Sequence, residues 1–199
     1  VLSRQTVDGF VFRVDLRLRP FGDSGPLVVS FGAMEQYLQG QAREWERYAM
    51  VKARPITGDP QDVEALQSLI RAFVYRRYID FGVIESIRDM KRMIVRELQK
   101  KGMDTNIKLG LGGIREIEFL GQAFQLVRGG RDVDLQIRPI QAVLDHLQEK
   151  QLLPAFAVRE LQVAYVFLRR AENRIQAWKD EQTHVLPEDD EGQRRLALS

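Results

Sequence analysis

Residues 10–20 read FVFRVDLRLRP, entered through the turn-forming pair Asp8-Gly9. Taken as a β-strand, the run alternates between two faces. Phe12, Val14, Leu16 and Leu18 fall on one side. Arg13, Asp15, Arg17 and Arg19 fall on the other, with Val11 as its one apolar member. The apolar side explains itself as packing. The charged side needs a partner, since a carboxylate flanked by guanidiniums is the composition expected where a divalent metal and phosphate oxygens meet. The carboxylate is a hard oxygen donor for Mg²⁺ or Mn²⁺, and guanidinium forks match phosphate. The same face also reads as a solvated strand surface with weak cross-strand ion pairs.

Working outward, residues 20–26 are dense in turn formers, and 27–30 (LVVS) read as a second strand closing a hairpin. Ser30 is an N-cap for a helix that meets Gly40. Residues 41–54 form a second helix that stops before Pro55, with Trp45 and Ala49 on one face. Lys52 and Arg54 at its end either reach phosphates or complement the helix C-terminus. Asp59-Pro60 introduces a helix marked by Leu66, Ile70 and Phe73. The next covers 83–101, with Ile87, Met90, Ile94 and Leu98 at helical steps and Gly102 closing it. Between them, FVYRRYIDF sets Arg76 and Arg77 outward among core aromatics.

Residues 106–119, NIKLGLGGIREIEF, are the second informative stretch. Ile107 to Leu109 read as a short strand, after which Gly110, Gly112 and Gly113 open a helix near Ile114. Glycines ahead of a helix N-terminus let an anion approach its free N–H groups. Ile117, Leu120, Phe124 and Val127 make an apolar stripe; Arg115, Glu118, Gln122 and Gln125 make a separate polar one; Glu116 belongs to neither. Gly129-Gly130 end the helix. The remainder reads as helical and chemically quiet. Ile137, Ile140, Leu144 and Leu147 define one helix. Pro154 starts a long one with Leu161, Leu168, Ile175 and Trp178 inward and Arg169, Arg170, Glu172 and Arg174 outward. His146 and His184 read as surface histidines, and the acidic run 188–191 as a solvated loop and helix start.

At 199 residues, with 44% hydrophobic and 29% charged residues, the chain has the composition of a soluble globular protein. A net charge of +2 does not demand a nucleic-acid partner, and the interspersed acids argue against a continuous basic face. The absence of cysteine excludes disulfides and thiolate metal sites. No apolar run approaches a membrane span and no signal-peptide pattern is present, which suggests the cytoplasm. The chain begins at Val1 and stops at RRLALS, and is expected to be a piece of a longer protein.

Taken together, RVDLRLRPFGDSGPLVVS, WERYAMVKAR, FVYRRYIDF and KLGLGGIREIEFLGQAFQLVRGGR resemble the bifunctional glutamine synthetase adenylyltransferase/adenylyl-removing family, in order and over nearly the whole chain. The RYIDF and GGIREIEF forms, with RGGR behind, are similar to its N-terminal, adenylyl-removing half. The resemblance implies an α+β fold that is predominantly helical. A small antiparallel sheet remnant of a polymerase β-like nucleotidyltransferase domain (residues 1–57) would precede a helical bundle (58–199), with 106–130 returning towards the active site. It implies phosphorolysis, in which adenylyl-tyrosine and phosphate give ADP and tyrosine on glutamine synthetase. It also implies Mg²⁺ or Mn²⁺ as cofactor, ADP or ATP as nucleotide, and uridylylated PII signal protein and glutamine as regulators. Asp15 matches the third metal carboxylate of that family, whose other two would lie before Val1, so activity of this chain alone is not expected. Arg17 and Arg19 are assigned to phosphate or to holding Asp15. Lys108, Gly112, Gly113, Arg115 and Glu118 are assigned to nucleotide or substrate contact. The adenylylating half and a non-catalytic helical docking module are the alternatives.

Overall fold

A computed structural model describes residues 7, 14–77, 81–100, 103, 105–179 and 183–198. Those residues are predominantly helical: α1 (Phe31–Gly40), α2 (Glu44–Met50), α3 (Pro60–Val74), α4 (Phe81–Lys100), α5 (Ile114–Arg128), α6 (Ile140–Glu149), α7 (Ala155–Lys179) and α8 (Asp190–Leu198). The starts follow the capping chemistry. The Ser30 hydroxyl accepts the Ala33 N–H at 3.3 Å, and Pro60 occupies the first turn of α3, where a missing N–H costs nothing. α2 is shorter than the expected 41–54. The Gln41 and Ala42 N–H groups both bond to the Tyr37 carbonyl, ending α1; the helix restarts where the Glu46 carboxylate accepts the Arg43 backbone N–H at 2.7 Å and the Glu46 N–H donates to the Arg43 carbonyl.

The expected sheet remnant is not found among the described residues. Of the charged stretch, residues 10–13 lie outside them, residues 14–16 are irregular, and 17–20 form turns and a bend. Val14, Leu16 and Leu18 are 40%, 51% and 54% exposed, so the described part of the alternating apolar face is not a buried one. A strand exists only when a neighbour takes its alternate N–H and C=O groups. Here the Arg19 guanidinium takes the carbonyls of Leu16, Asp23 and Gly25 instead, closing a compact loop. Residues 27–30 have no ladder partner among the described residues, and Leu27 and Val28 are exposed. Residues 107–109 form a turn because the Asn106 side-chain oxygen accepts the N–H groups of Lys108 and Leu109 at 3.1 and 2.9 Å. An isolated antiparallel bridge joins Asn106 to Val185.

Two apolar clusters hold the helices. One gathers Tyr37 and Leu38 of α1, Tyr48 of α2, Phe73 and Val74 of α3, Ile87 and Met90 of α4, and Leu126 of α5. The other packs Ile117 of α5 against Leu135, the α6 face of Ile140, Val143, Leu144 and Leu147, and Val158 of α7. α5 contributes to both and is therefore enclosed on more than its apolar stripe. Most of its polar stripe faces inward too: Glu118, Gln122 and Gln125 are buried, while Arg115 stays exposed. Gln125 resolves its burial by donating to the Leu135 and Ile137 carbonyls at 2.7 and 2.6 Å. Two further departures concern residues assigned to the surface or the core. His146 is mostly buried, its Nε2 3.0 Å from Asp132, whereas Trp178, assigned inward, is 39% exposed.

Candidate functional site

The glycine loop ahead of α5 folds back on the helix it introduces. The N–H groups of Ile114 and Arg115 bond to the carbonyls of Ile107 and Lys108, both at 3.0 Å. Gly112 has φ +72°, a conformation that favours glycine, and its N–H is taken by the Glu116 carboxylate at 2.8 Å. At Gly113 a Cβ would lie 2.8 Å from the carbonyl oxygens of Gly110 and Ile107. The glycines thus shape the loop, and the first N–H groups of α5 are engaged by the chain itself. Glu116, which fell on neither stripe, pairs with Lys91.

What the loop delivers is Lys108, and with it a network of buried carboxylates. Glu118 of α5 is 5% exposed and Glu172 of α7 is 4% exposed. Glu118 accepts from Lys52 at 3.1 Å, Arg169 at 3.0 Å and the Tyr165 hydroxyl at 3.3 Å, with Arg115 at 3.7 Å. Arg169 bridges to Glu172 at 2.7 Å, and Lys108 and His184 approach the other Glu172 oxygen at 3.2 Å. Glu172 is therefore interior and Arg169, still partly exposed, turns inward to it, neither being the outer-face residue expected, and His184 is no plain surface histidine. Four full-time cations surround two carboxylates, an arrangement that favours an added anion. Lys52, Lys108, Arg115 and Arg169 are each partly exposed and so within reach of one.

The geometry shifts the titration of Glu172 and Tyr165. Burial works to raise the Glu172 carboxyl, but hydrogen bonds from Arg169 and Lys108 outweigh it and hold it below the ordinary carboxylate range. Burial pushes the Tyr165 phenol up, against the opposing hydrogen bond from Arg169. Because Glu172 is depressed in the fold, its contribution to stability is complete above its unfolded value of 4.5 and is lost as pH falls through the folded value. The midpoint of thermal unfolding is accordingly expected to be flat near neutrality and to fall below about pH 4.5. Glu172→Gln should have a shallower acid slope than wild type, and identical slopes would remove the carboxylate from this role.

Asp15 and Arg17 form a pair of their own. Arg17 Nε and Nη2 clasp both carboxylate oxygens, at 3.0 and 2.6 Å, and the guanidinium holds the exposed Asp15 carboxyl at about 2. Arg19 is spent on loop carbonyls. Lys108, Arg115 and Glu118 are brought together, then, while Asp15, Arg17 and Arg19 belong to the loop before α1. For a metal, Asp15 offers a single carboxylate with both oxygens already bonded, which does not fit a two-metal centre with these residues alone.

Residues 1–68 match the family described as glutamate-ammonia ligase adenylyltransferase, and residues 88–199 match the family described as GlnD PII-uridylyltransferase. Across the whole chain the sequence is 60% identical to the bifunctional glutamine synthetase adenylyltransferase/adenylyl-removing enzyme of Nitrosococcus oceani. Enzymes of the same description from Hahella chejuensis and Pseudomonas aeruginosa are 56% and 58% identical over 100% and 99% of the chain. The chain belongs to this adenylyltransferase/adenylyl-removing family, and its residues 88–199 carry the segment shared with the PII-uridylyltransferase family. It covers 20%, 21% and 20% of the length of these three curated relatives.

Lys52 and Arg115 were visible as basic residues near informative motifs. Arg169, Glu172 and Tyr165 were not: they reach the site from a helix about 50 residues downstream, where the period marked Arg169 and Glu172 as outward and left Tyr165 unassigned. The one available signal was charge of both signs, three residues apart, on a helix with many apolar positions.

Proposed function

We propose that this chain is part of the machinery that removes AMP from adenylylated glutamine synthetase by phosphorolysis. A phosphate oxygen attacks the adenylyl phosphorus, the bond to the tyrosyl oxygen breaks, and that oxygen leaves as tyrosine while ADP forms. The observation that carries this reading is the cationic surplus around Glu118 and Glu172, in a chain whose whole length is similar to enzymes of that description. In-line transfer between anions needs fixed positive charge against the developing negative charge. Lys108 and Arg115 are the groups placed to meet nucleotide or phosphate. Glu118 and Glu172 orient Lys52, Arg169 and Lys108, and Gly112 and Gly113 set the loop that presents Lys108.

In the same reading Asp15 would be one ligand to Mg²⁺ or Mn²⁺, which would supply Lewis-acid charge at the transferring phosphoryl group, and Arg17 would then turn from Asp15 to phosphate. Uridylylated PII and glutamine as regulators, and the cytoplasm as location, belong to this proposal. No helix among the described residues is long and apolar enough to cross a membrane. A second reading, the adenylylating direction with ATP as donor, draws on the match of residues 1–68 to the adenylyltransferase family.

The test is Asp15→Asn in the complete enzyme, assayed for phosphate-dependent release of ADP from adenylylated glutamine synthetase. Removal is expected to fall at least about 100-fold with thermal stability unchanged, the scale on which single electrostatic groups act in catalysis. Retention within threefold would overturn the role of Asp15. Loss of ATP-dependent AMP transfer with removal intact would favour the second reading.

A further inference from the structure

A separate cavity of about 90 Å³ lies between the end of α2, the last turns of α3 and the connection into α6. Its charged lining consists of Arg71 and Arg138, with no carboxylate on its wall, and Gln67, Gln136 and Tyr75 supply further polar groups. Other guanidiniums in this region are paired: Arg47 and Arg76 both meet Glu44, at 3.1 and 3.2 Å. Arg71 and Arg138 both reach solvent at the mouth of the cavity, and among the described residues neither has an ion-pair partner. Arg71 stands in the last turn of α3, where it offsets the negative end of that helix. Each of two helix C-termini here, those of α2 and α3, is equivalent to roughly −0.5 charge. Two guanidiniums therefore leave about one positive charge uncompensated, and Arg138 belongs to no helix that would account for it.

We propose that this cavity binds a compact oxyanion, a phosphate or a carboxylate, between the Arg71 and Arg138 guanidiniums. Guanidinium forks bind both groups through paired N–H bonds. The volume sits well below the roughly 300–1,000 Å³ of sites for drug-sized ligands, so the occupant is a small anion and not a nucleotide. Burial pushes the Tyr75 phenol up, keeping it a neutral O–H donor beside Arg71. The site shares no lining residue with the Glu118–Glu172 network or the Asp15–Arg17 pair and stands independently of the proposed reaction. It does adjoin the network: Val51 and Ala53 form part of its wall, and Lys52 between them reaches Glu118. An occupant would thus brace the segment that positions Lys52.

The experiment is an amide-resolved NMR titration of the chain with sodium phosphate and, separately, sodium acetate, at ionic strength held constant with chloride. Saturable shifts are expected at the amides of Ala53, Arg71, Gln136 and Arg138. Arg71→Gln and Arg138→Gln should each weaken binding at least tenfold, while Arg96→Gln on exposed α4 leaves it unchanged. Tighter response to phosphate than to acetate identifies phosphate as the source chemistry, and the reverse identifies a carboxylate. Absence of saturation by both probes, shifts concentrated elsewhere, or binding unchanged in both cavity variants would overturn the proposal. Should a variant fail to fold, the wild-type shift map decides alone.

Discussion

Replacing Arg47 with methionine is expected to destabilise the fold by about 3–5 kcal/mol, the range for removing one member of a buried charged arrangement. Arg47 is fully buried, with 0% exposure. Its Nε donates to the Val74 carbonyl at 2.7 Å, one Nη to the Leu126 carbonyl at 3.1 Å, and the other to Glu44 at 3.1 Å. Val74 ends α3 and Leu126 lies in the last turn of α5, so both carbonyls lack an intrahelical partner. One planar fork therefore closes two helix ends and neutralises a carboxylate. Methionine fills much the same volume and supplies none of the three donors, leaving two buried carbonyls unpaired at about 1–3 kcal/mol each. Arg47→Lys should fall between the two, because an ammonium on a flexible stem cannot span both carbonyls. For a chain of this size, the melting midpoint of Arg47→Met should drop by roughly 10 °C. A loss below about 1 kcal/mol would mean that water takes over the carbonyls and that the fork is dispensable.

The helices were legible because their signals are local. Ser30, Asp59-Pro60 and the glycine pairs around α5 act on the backbone within a turn of themselves, and they marked the observed starts and stops closely. The sheet was not, since alternation over residues 10–20 describes any extended run with mixed side chains. What decides a strand is a partner elsewhere in the chain. The same limit applies to the site. A helical period shows that Arg115, Glu118, Gln122 and Gln125 share a stripe, but not that the stripe faces inward. Glu118 is buried only because Lys52, 66 residues before it, and Arg169, 51 residues after it, come to meet it. Asp15 shows the opposite case, as its observed partner lies two residues away and the face-sharing of Asp15 and Arg17 was already plain.

Gly130→Ala is the second change with a large expected effect, and it acts on the segment that Arg47 holds from the other side. A Cβ at Gly130 would collide with the Arg76 backbone carbonyl and lie 2.8 Å from the Arg77 nitrogen. At Gly129 the added carbon would sit 2.5 Å from the Tyr75 ring. The chain from Val74 to Arg77 is thus clamped, with Arg47 bonded to the Val74 carbonyl on one side and the glycine pair packed against Tyr75 and Arg76 on the other. Arg131 completes the clamp by donating to the Arg77 carbonyl at 3.3 Å. Backbone cannot rotate away as a side chain can, so relief requires residues 76–77 to move. That movement would strain the Arg76–Glu44 pair and, through Glu44, the Arg47 fork. The expected cost is about 3 kcal/mol, the upper end of typical overpacking penalties. Because both substitutions act on one clamp, Arg47→Met combined with Gly130→Ala should cost less than the sum of the two. Chemical denaturation of the four proteins measures this directly. Strict additivity would separate the glycine contact from the guanidinium fork, and so would show that Arg47 and Gly130 do not stabilise the same turn of chain.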